Sequence, residues 1–364
     1  MAFIKKDLMT DSLVNVFSSV AAIVVGLLVG LVILLISNAS QAFGGFWLIL
    51  SSGFSTMREL GQVLYFATPI IMTGLSVGFS AKTGLFNIGA AGQFIVGAYA
   101  AVLVGVRCTF IPGHLHWVAA LLAAMLAGAL WGAIPGIFKA FFNVNEVIAC
   151  IMTNYMGTYL VNFLITKTVF NSLQNQSMRV ADTANLPKLG MDRVFRDGFN
   201  VSSANSGIFL AIAFAVLIYI ILEKTIFGYE LKACGFNRES AHYAGINERR
   251  SIVASMVIAG ALSGIGGALL YLAGSGKGIT VVDVLAMEGF NGIPVALLGL
   301  NNPLGIIFSG LLIAYLNVGG FNMQLFNFAP QVIEIIIAVI IYFSAFALLL
   351  KGFFSYLKKR RGKV

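Results

Sequence analysis

The sequence predicts an all-α fold, a polytopic transmembrane helical bundle of about ten spans forming one domain over residues 1–364. Three observations lead there. Apolar residues make up 59% of the chain and charged residues 10%, where a soluble domain has roughly 45–50% and about 25%. Apolar runs recur along the whole length, each near the ~20 residues that cross a bilayer. The net charge of +9, from 23 Lys+Arg against 14 Asp+Glu, concentrates in short segments between alternate runs, as cytoplasmic loops require. An ordinary soluble protein is thereby excluded. The three cysteines, Cys108, Cys150 and Cys234, are odd in number and far apart, which implies no disulfide framework or clustered zinc site.

The predicted spans lie at 13–36, 61–80, 87–106, 115–138, 146–167, 207–222, 252–273, 285–300, 303–320 and 329–350. The first follows Lys5 and Lys6 and ends near Ser37-Asn38-Ala39, a faint cleavage site. Its apolar run exceeds the 7–15 residues or so of a signal peptide, so it reads as an uncleaved helix. The spans at 61–80 and 285–300 carry Pro69, Gly74 and Gly78, and Gly289, Gly292 and Pro294. These read as broken or re-entrant helices. Irregular backbone at membrane depth survives only where protein buries it or it lines a cavity, which points to a translocation path, although Gly and Pro are also common in membrane helices. Gly128, Gly132 and Gly136 in the fourth span, and Gly260 and Gly264 in the seventh, have the spacing of close helix packing.

The fifth span holds Glu146, Cys150, Asn154, Thr158, Asn162 and Thr166, each four residues from the last. At 3.6 residues per turn each step drifts by about 40°, giving a slowly winding polar ridge. A solute path would use such a ridge; hydrogen bonds between helices would use it equally well.

With the N-terminus inside, the inner segments 1–12, 81–86, 139–145, 223–251, 301–302 and 351–364 hold 15 of the 23 Lys+Arg. The short outer loops hold three, Arg58, Arg107 and Lys277; the long loop counts little. The chain is thus expected in the cell membrane, multi-pass, with both termini cytoplasmic, residues 168–206 extracytoplasmic and 223–251 cytoplasmic. Lys358-Lys359-Arg360-Arg361 then meets anionic lipid rather than nucleic acid. Inside the cytoplasmic loop, Asn237 suits an N-cap, Glu239 and Ser240 a first turn and Gly245 a stop, predicting a short helix at 238–244.

Enzyme signatures are wanting. Gly274-Ser275-Gly276-Lys277-Gly278 lacks the first glycine and the Ser/Thr of a phosphate loop, since Tyr271 and Gly278 occupy those places. Cys108, His114 and His116 match no zinc spacing, and His242 is expected on the opposite side of the membrane. Glu288 and Glu334, near the outer ends of their spans, could serve a proton or cation path but have no evident basic partner; capping near the interface explains them.

Several blocks carry a family likeness. Thr73-Gly74-Leu75-Ser76-Val77-Gly78, followed by Gly84-Leu85-Phe86-Asn87-Ile88-Gly89-Ala90-Ala91-Gly92-Gln93, resembles the signature of ABC-importer permeases for nucleosides, in the group that includes ribose and branched-chain amino-acid permeases. Ile151-Met152-Thr153-Asn154-Tyr155, Ala241-His242-Tyr243-Ala244-Gly245-Ile246-Asn247 and Gly289-Phe290-Asn291-Gly292-Ile293-Pro294 extend the resemblance, which covers about residues 60–320. Ala91 stands where that branch usually has Glu, and Asn291 and Pro294 where Asp and Ala are common.

The resemblance implies a non-enzymatic half-transporter without a cofactor of its own. A second permease subunit, usually a different chain, completes the path. A cytoplasmic ABC ATPase holds ATP and Mg, and an extracytoplasmic solute-binding lipoprotein delivers the solute, against loop 168–206. On this reading Asn87, Gln93, Asn154, Asn162 and Asn291 line or brace the path, because neutral amides meet a nucleoside's donors and acceptors without trapping it. Arg238, Glu239, His242, Tyr243 and Gly245 belong to the coupling helix, with Phe236 and Ile246 as apolar flanks for the ATPase groove. A sugar or branched-chain amino-acid permease is the alternative within the class; an ion-coupled secondary transporter is the alternative outside it.

Overall fold

The computed structural model describes residue 21 and residues 23–345. The helices are α1 (Ile23–Ser37), α2 (Ala42–Ser55), α3 (Met57–Lys82), α4 (Ala90–Arg107), α5 (Gly113–Phe142), α6 (Glu146–Thr168), α7 (Met191–Val194), α8 (Gly207–Lys224), α9 (Ile226–Phe236), α10 (Arg238–Tyr243), α11 (Glu248–Tyr271), α12 (Met287–Phe290), α13 (Gly292–Leu298), α14 (Pro303–Asn322) and α15 (Pro330–Ala345). Among the described residues seven helices, α3, α4, α5, α6, α8, α11 and α14 with the 3-10 turn that follows it, are long and apolar enough to cross a membrane. The chain is a polytopic helical membrane protein.

Several expectations need correction. Helix α2 is not among the ten expected spans: it is apolar, but its 14 residues fall short of the ~20 that cross a bilayer. Segment 61–80 is not broken: α3 runs through Pro69 over 26 residues. Pro69 lacks the N–H that would reach the Tyr65 carbonyl, and the helix continues through that gap within a stretch buried without interruption from Ala67 to Ser80. Segment 285–300 does break, into α12 and α13. The start of the first span, the end of the last and the Lys358–Arg361 run lie outside the described residues.

Two compact units emerge, one comprising the chain to Gly53 and from Leu316, the other Phe54–Tyr315. In the first, Gly26 and Gly30 of α1 pack on α15: an added Cβ would come within 2.6 and 2.9 Å of Ile340 and Ile336 side chains. In the second, α11 is the hub, packed by α3, α4 and α5. A Cβ on Gly128 would lie 2.3 Å from the Gly260 carbonyl, and one on Gly264 2.4 Å from that of Ala124. The two glycine seams thus bring the α5 and α11 backbones together, the packing that the spacing predicts.

Segment 168–206 is a stitched cap. Strand β1 (Phe170–Asn171) pairs antiparallel with β2 (Gln176–Ser177), and β3 (Arg196–Asp197) with β4 (Asn200–Val201). The Ser177 backbone N–H donates to Ile279 O and the Ile279 N–H to Ser177 Oγ, at 2.8 and 2.9 Å. Leu186 N–H reaches Leu272 O at 2.8 Å. Buried His116 bonds Val104 O at 3.0 Å and Thr183 Oγ1 at 2.8 Å. A carbonyl only accepts, so Nε2 carries a proton.

Segment 223–251 holds one more helix than expected. Gly228 and Gly235 each permit a close approach within or beside α9: a Cβ would lie 2.0 Å from Ile221 O and 2.5 Å from the Thr83 carbonyl carbon. Leu231 and Cys234 of α9 are buried.

Candidate functional site

The turn between α3 and α4 passes through Gly84, whose φ of +76 and approach to Gly235 leave no room for a side chain. It delivers Asn87 into the protein, fully buried beside Gln93. Asn87 Nδ2 donates to Gln93 Oε1 at 2.8 Å and to Ser76 Oγ at 3.1 Å. Gln93 Nε2 returns a bond to Asn87 Oδ1 at 3.1 Å, and the Cys150 thiol approaches the same oxygen at 3.9 Å. Asn154 joins from α6, accepting the Gly92 N–H at 2.8 Å and donating to Ile88 O at 3.0 Å. The cap residue of α4, Gly89, has no side chain to offer its helix; Asn154 caps it from a neighbouring helix.

The cluster is closed. Both Asn87 amide hydrogens are donated and its oxygen accepts twice, so it locks α3, α4 and α6 together. Serine 76 was not singled out from the sequence; its position eleven residues before Asn87 gives no periodic signal.

The fifth-span ridge winds as its spacing requires. Cys150, Asn154 and Thr158 face the interior, while Thr166, two to four 40° steps on, is exposed. Half-buried Asn162 donates to Val282 O at 2.9 Å and to Asp283 Oδ1 at 3.0 Å. Together with Phe163, Thr166 and Lys167 these residues line an open recess of about 300 Å³. Asp283 escaped sequence reasoning because its partner is 121 residues away. The structure does not bring Asn162 or Asn291 to the amide cluster. Asn291 sits half-buried at the break between α12 and α13, where Gly289 and Gly292 press on Ala91 and Thr73 with would-be Cβ contacts of 2.3 and 2.5 Å.

Two acidic residues bordering the spans do have basic partners. Glu146 pairs with Lys139 at 2.8 Å across the three-residue turn from α5 to α6. Glu288 pairs with Lys277 at 3.2 Å.

At the α9–α10 end, Asn237 Oδ1 accepts the Ser240 N–H at 3.0 Å. The helix closes with Gly245 N–H to His242 O at 2.9 Å and Ile246 N–H to Ala241 O at 3.0 Å, a Schellman motif with Gly245 at φ +83. The expected helix at 238–244 is therefore present, one residue shorter. Glu239, His242 and Tyr243 are exposed, whereas Arg238 is half-buried. Phe236 and Tyr243 are 89% and 91% exposed; Ile246 is half-buried, held by the motif.

The profile described as branched-chain amino acid transport system / permease component matches residues 60–345. A guanosine ABC transporter permease protein of Bacillus subtilis is 36% identical over 353 residues, 97% of this chain and 99% of its own. A nucleoside ABC transporter permease protein of Lactococcus lactis is 33% identical over 330 residues, 89% of each chain. A glucose ABC transporter permease protein of Haloferax volcanii is 33% identical over 78% of this chain and 75% of its own. No solved structure matches. The chain belongs to the branched-chain amino acid transport system / permease component family.

Proposed function

We propose that the chain is the permease subunit of an ATP-binding-cassette importer that carries nucleosides, guanosine-like purines foremost, into the cell. The observation that carries this is the likeness to the guanosine permease along 97% of the chain. The chemistry agrees: Asn162 and Asn291, outside the closed amide cluster, are neutral amides that can exchange bonds with a nucleoside without an ionic trap. Asn87, Gln93 and Asn154 act as the brace, holding the start of α4, while Asn162 and Asn291 face the path.

The remaining parts follow from the same reading. The chain is not itself an enzyme, and ATP and Mg sit on a cytoplasmic ABC ATPase that receives α10, with Phe236 and Tyr243 as anchors and Glu239 and His242 at the rim. Both termini and 223–251 are cytoplasmic. The 168–206 cap is extracytoplasmic and receives a solute-binding lipoprotein, and a second, different permease subunit completes the path.

Tagged full-length chain purified from its native membrane tests this assembly. Recovery of an ABC ATPase, a second permease and a lipoprotein that binds guanosine supports it. A lipoprotein that binds glucose, ribose or leucine and not guanosine overturns the nucleoside assignment, and solute uptake driven by an ion gradient without any ATPase overturns the importer.

A further inference from the structure

Tyr155 and Tyr159 stand on either side of the middle of α6, which spans 23 residues, and are 46% and 53% exposed. Neither hydroxyl has a hydrogen-bond partner among the described residues. In hydrocarbon an unpaired hydroxyl is costly, and membrane tyrosines ordinarily sit at the headgroup level instead.

Two other spans show the contrast. At mid-helix α5 exposes Leu122, Leu126 and Leu130, and α8 exposes Ile212, Val216 and Leu217, as lipid-facing surfaces do. Beside the aliphatic Ile148, Ile151 and Leu160, the exposed surface of α6 carries a stripe of Met152, Tyr155, Met156, Tyr159 and Phe163. It runs at helical spacing into the recess of Asn162, Thr166, Lys167 and Asp283. The stripe is therefore continuous with a polar opening.

We propose that this face is a wall of the solute path, and that Tyr155 and Tyr159 form a stacking platform for the flat heteroaromatic base of a passing nucleoside. The inference rests on the nucleoside reading and adds to it the recognition residues. A tyrosine ring offers a rigid π-face and a polar tip. Stacking accepts any base, because every base has a π-face, and Met152 and Met156 adapt to its outline. The hydroxyls find their partners on the base edge or in path water.

The test uses right-side-out vesicles containing the assembled complex. Tyr155→Cys and Tyr159→Cys should react with a membrane-impermeant charged thiol reagent above the wild-type background, and guanosine should slow that reaction. Leu126→Cys should stay unreactive. In uptake, Tyr155→Leu and Tyr159→Leu should raise the KM for guanosine about ten-fold while the maximal rate stays within about two-fold; Tyr→Phe at either site should recover most of the affinity. Absence of reaction at both cysteines overturns the proposal and places the face in lipid or in a sealed contact with the second permease. Reaction without protection, with guanosine KM unchanged in the Leu variants, removes the stacking role. If the wild-type complex carries no guanosine, the nucleoside reading and the platform fail together, and the labelling alone then decides whether the face borders water.

Discussion

Asn154 on α6 accepts the Gly92 backbone N–H at 2.8 Å, so one helix supplies the N-terminal cap of another. Removing it leaves the buried Gly92 N–H and the half-buried Ile88 carbonyl without this partner. Asn154→Leu is expected to lower the stability of the purified protein by about 1–3 kcal/mol, read as a fall in Tm. Uptake per correctly inserted molecule should change less than the amount inserted. An unchanged Tm would show that the cap contributes nothing.

Gly245 has φ +83 and open space around the position of a Cβ, so a substitution there acts through the backbone alone. Gly245→Val should strain the Schellman turn by about 1–2 kcal/mol and reduce ATP-driven uptake at normal insertion levels. Gly245→Asn, which tolerates left-handed backbone, should retain most of it. Wild-type uptake and ATPase association in the Val variant would show that the end of α10 plays no part in coupling.

Gly128 faces the Gly260 carbonyl at a distance no Cβ occupies, 2.3 Å. Gly128→Val should force α5 off α11 and abolish a monodisperse full-length protein in size-exclusion chromatography, since overpacking against backbone has no cheap relief. A monodisperse peak at wild-type yield would contradict the seam.

Phe199 is fully exposed at the tip of β3–β4, and Ser177 is buried. With 168–206 outside, Phe199→Cys should react with an impermeant reagent applied to intact cells and Ser177→Cys should not. Reaction of Phe199→Cys only from the cytoplasmic side would invert the orientation.

The fold was legible where periodicity and length speak. Apolar runs marked the long helices, and the four-residue glycine spacing marked α5 and α11 as closely packed helices without naming their partner. Helix α2 was hidden because its apolar stretch is only 14 residues long, and α9 because Gly228 and Gly235 signal turns locally although here they admit backbone from elsewhere. Pro69 misled in the opposite sense, since α3 continues through it within a stretch buried from Ala67 to Ser80. The short helix at 238–243 was readable because caps are local: Asn237 and Gly245 lie at its two ends. The amide cluster was readable only as residue types. Its closure depends on pairs such as Asn87 with Cys150 and Gly92 with Asn154, more than sixty residues apart, and no spacing rule reports such contacts. The exposed tyrosines of α6 counted merely as apolar residues in a span.

The most direct measurement is solute uptake by proteoliposomes that hold the complete complex, ATP inside and the loaded lipoprotein outside. The account predicts guanosine accumulation that requires ATP, stops when the ATPase is inactivated, and is competed by other nucleosides but not by ribose, glucose or leucine. Accumulation of one of those three in preference to guanosine, or guanosine entry that persists without ATP, would contradict it.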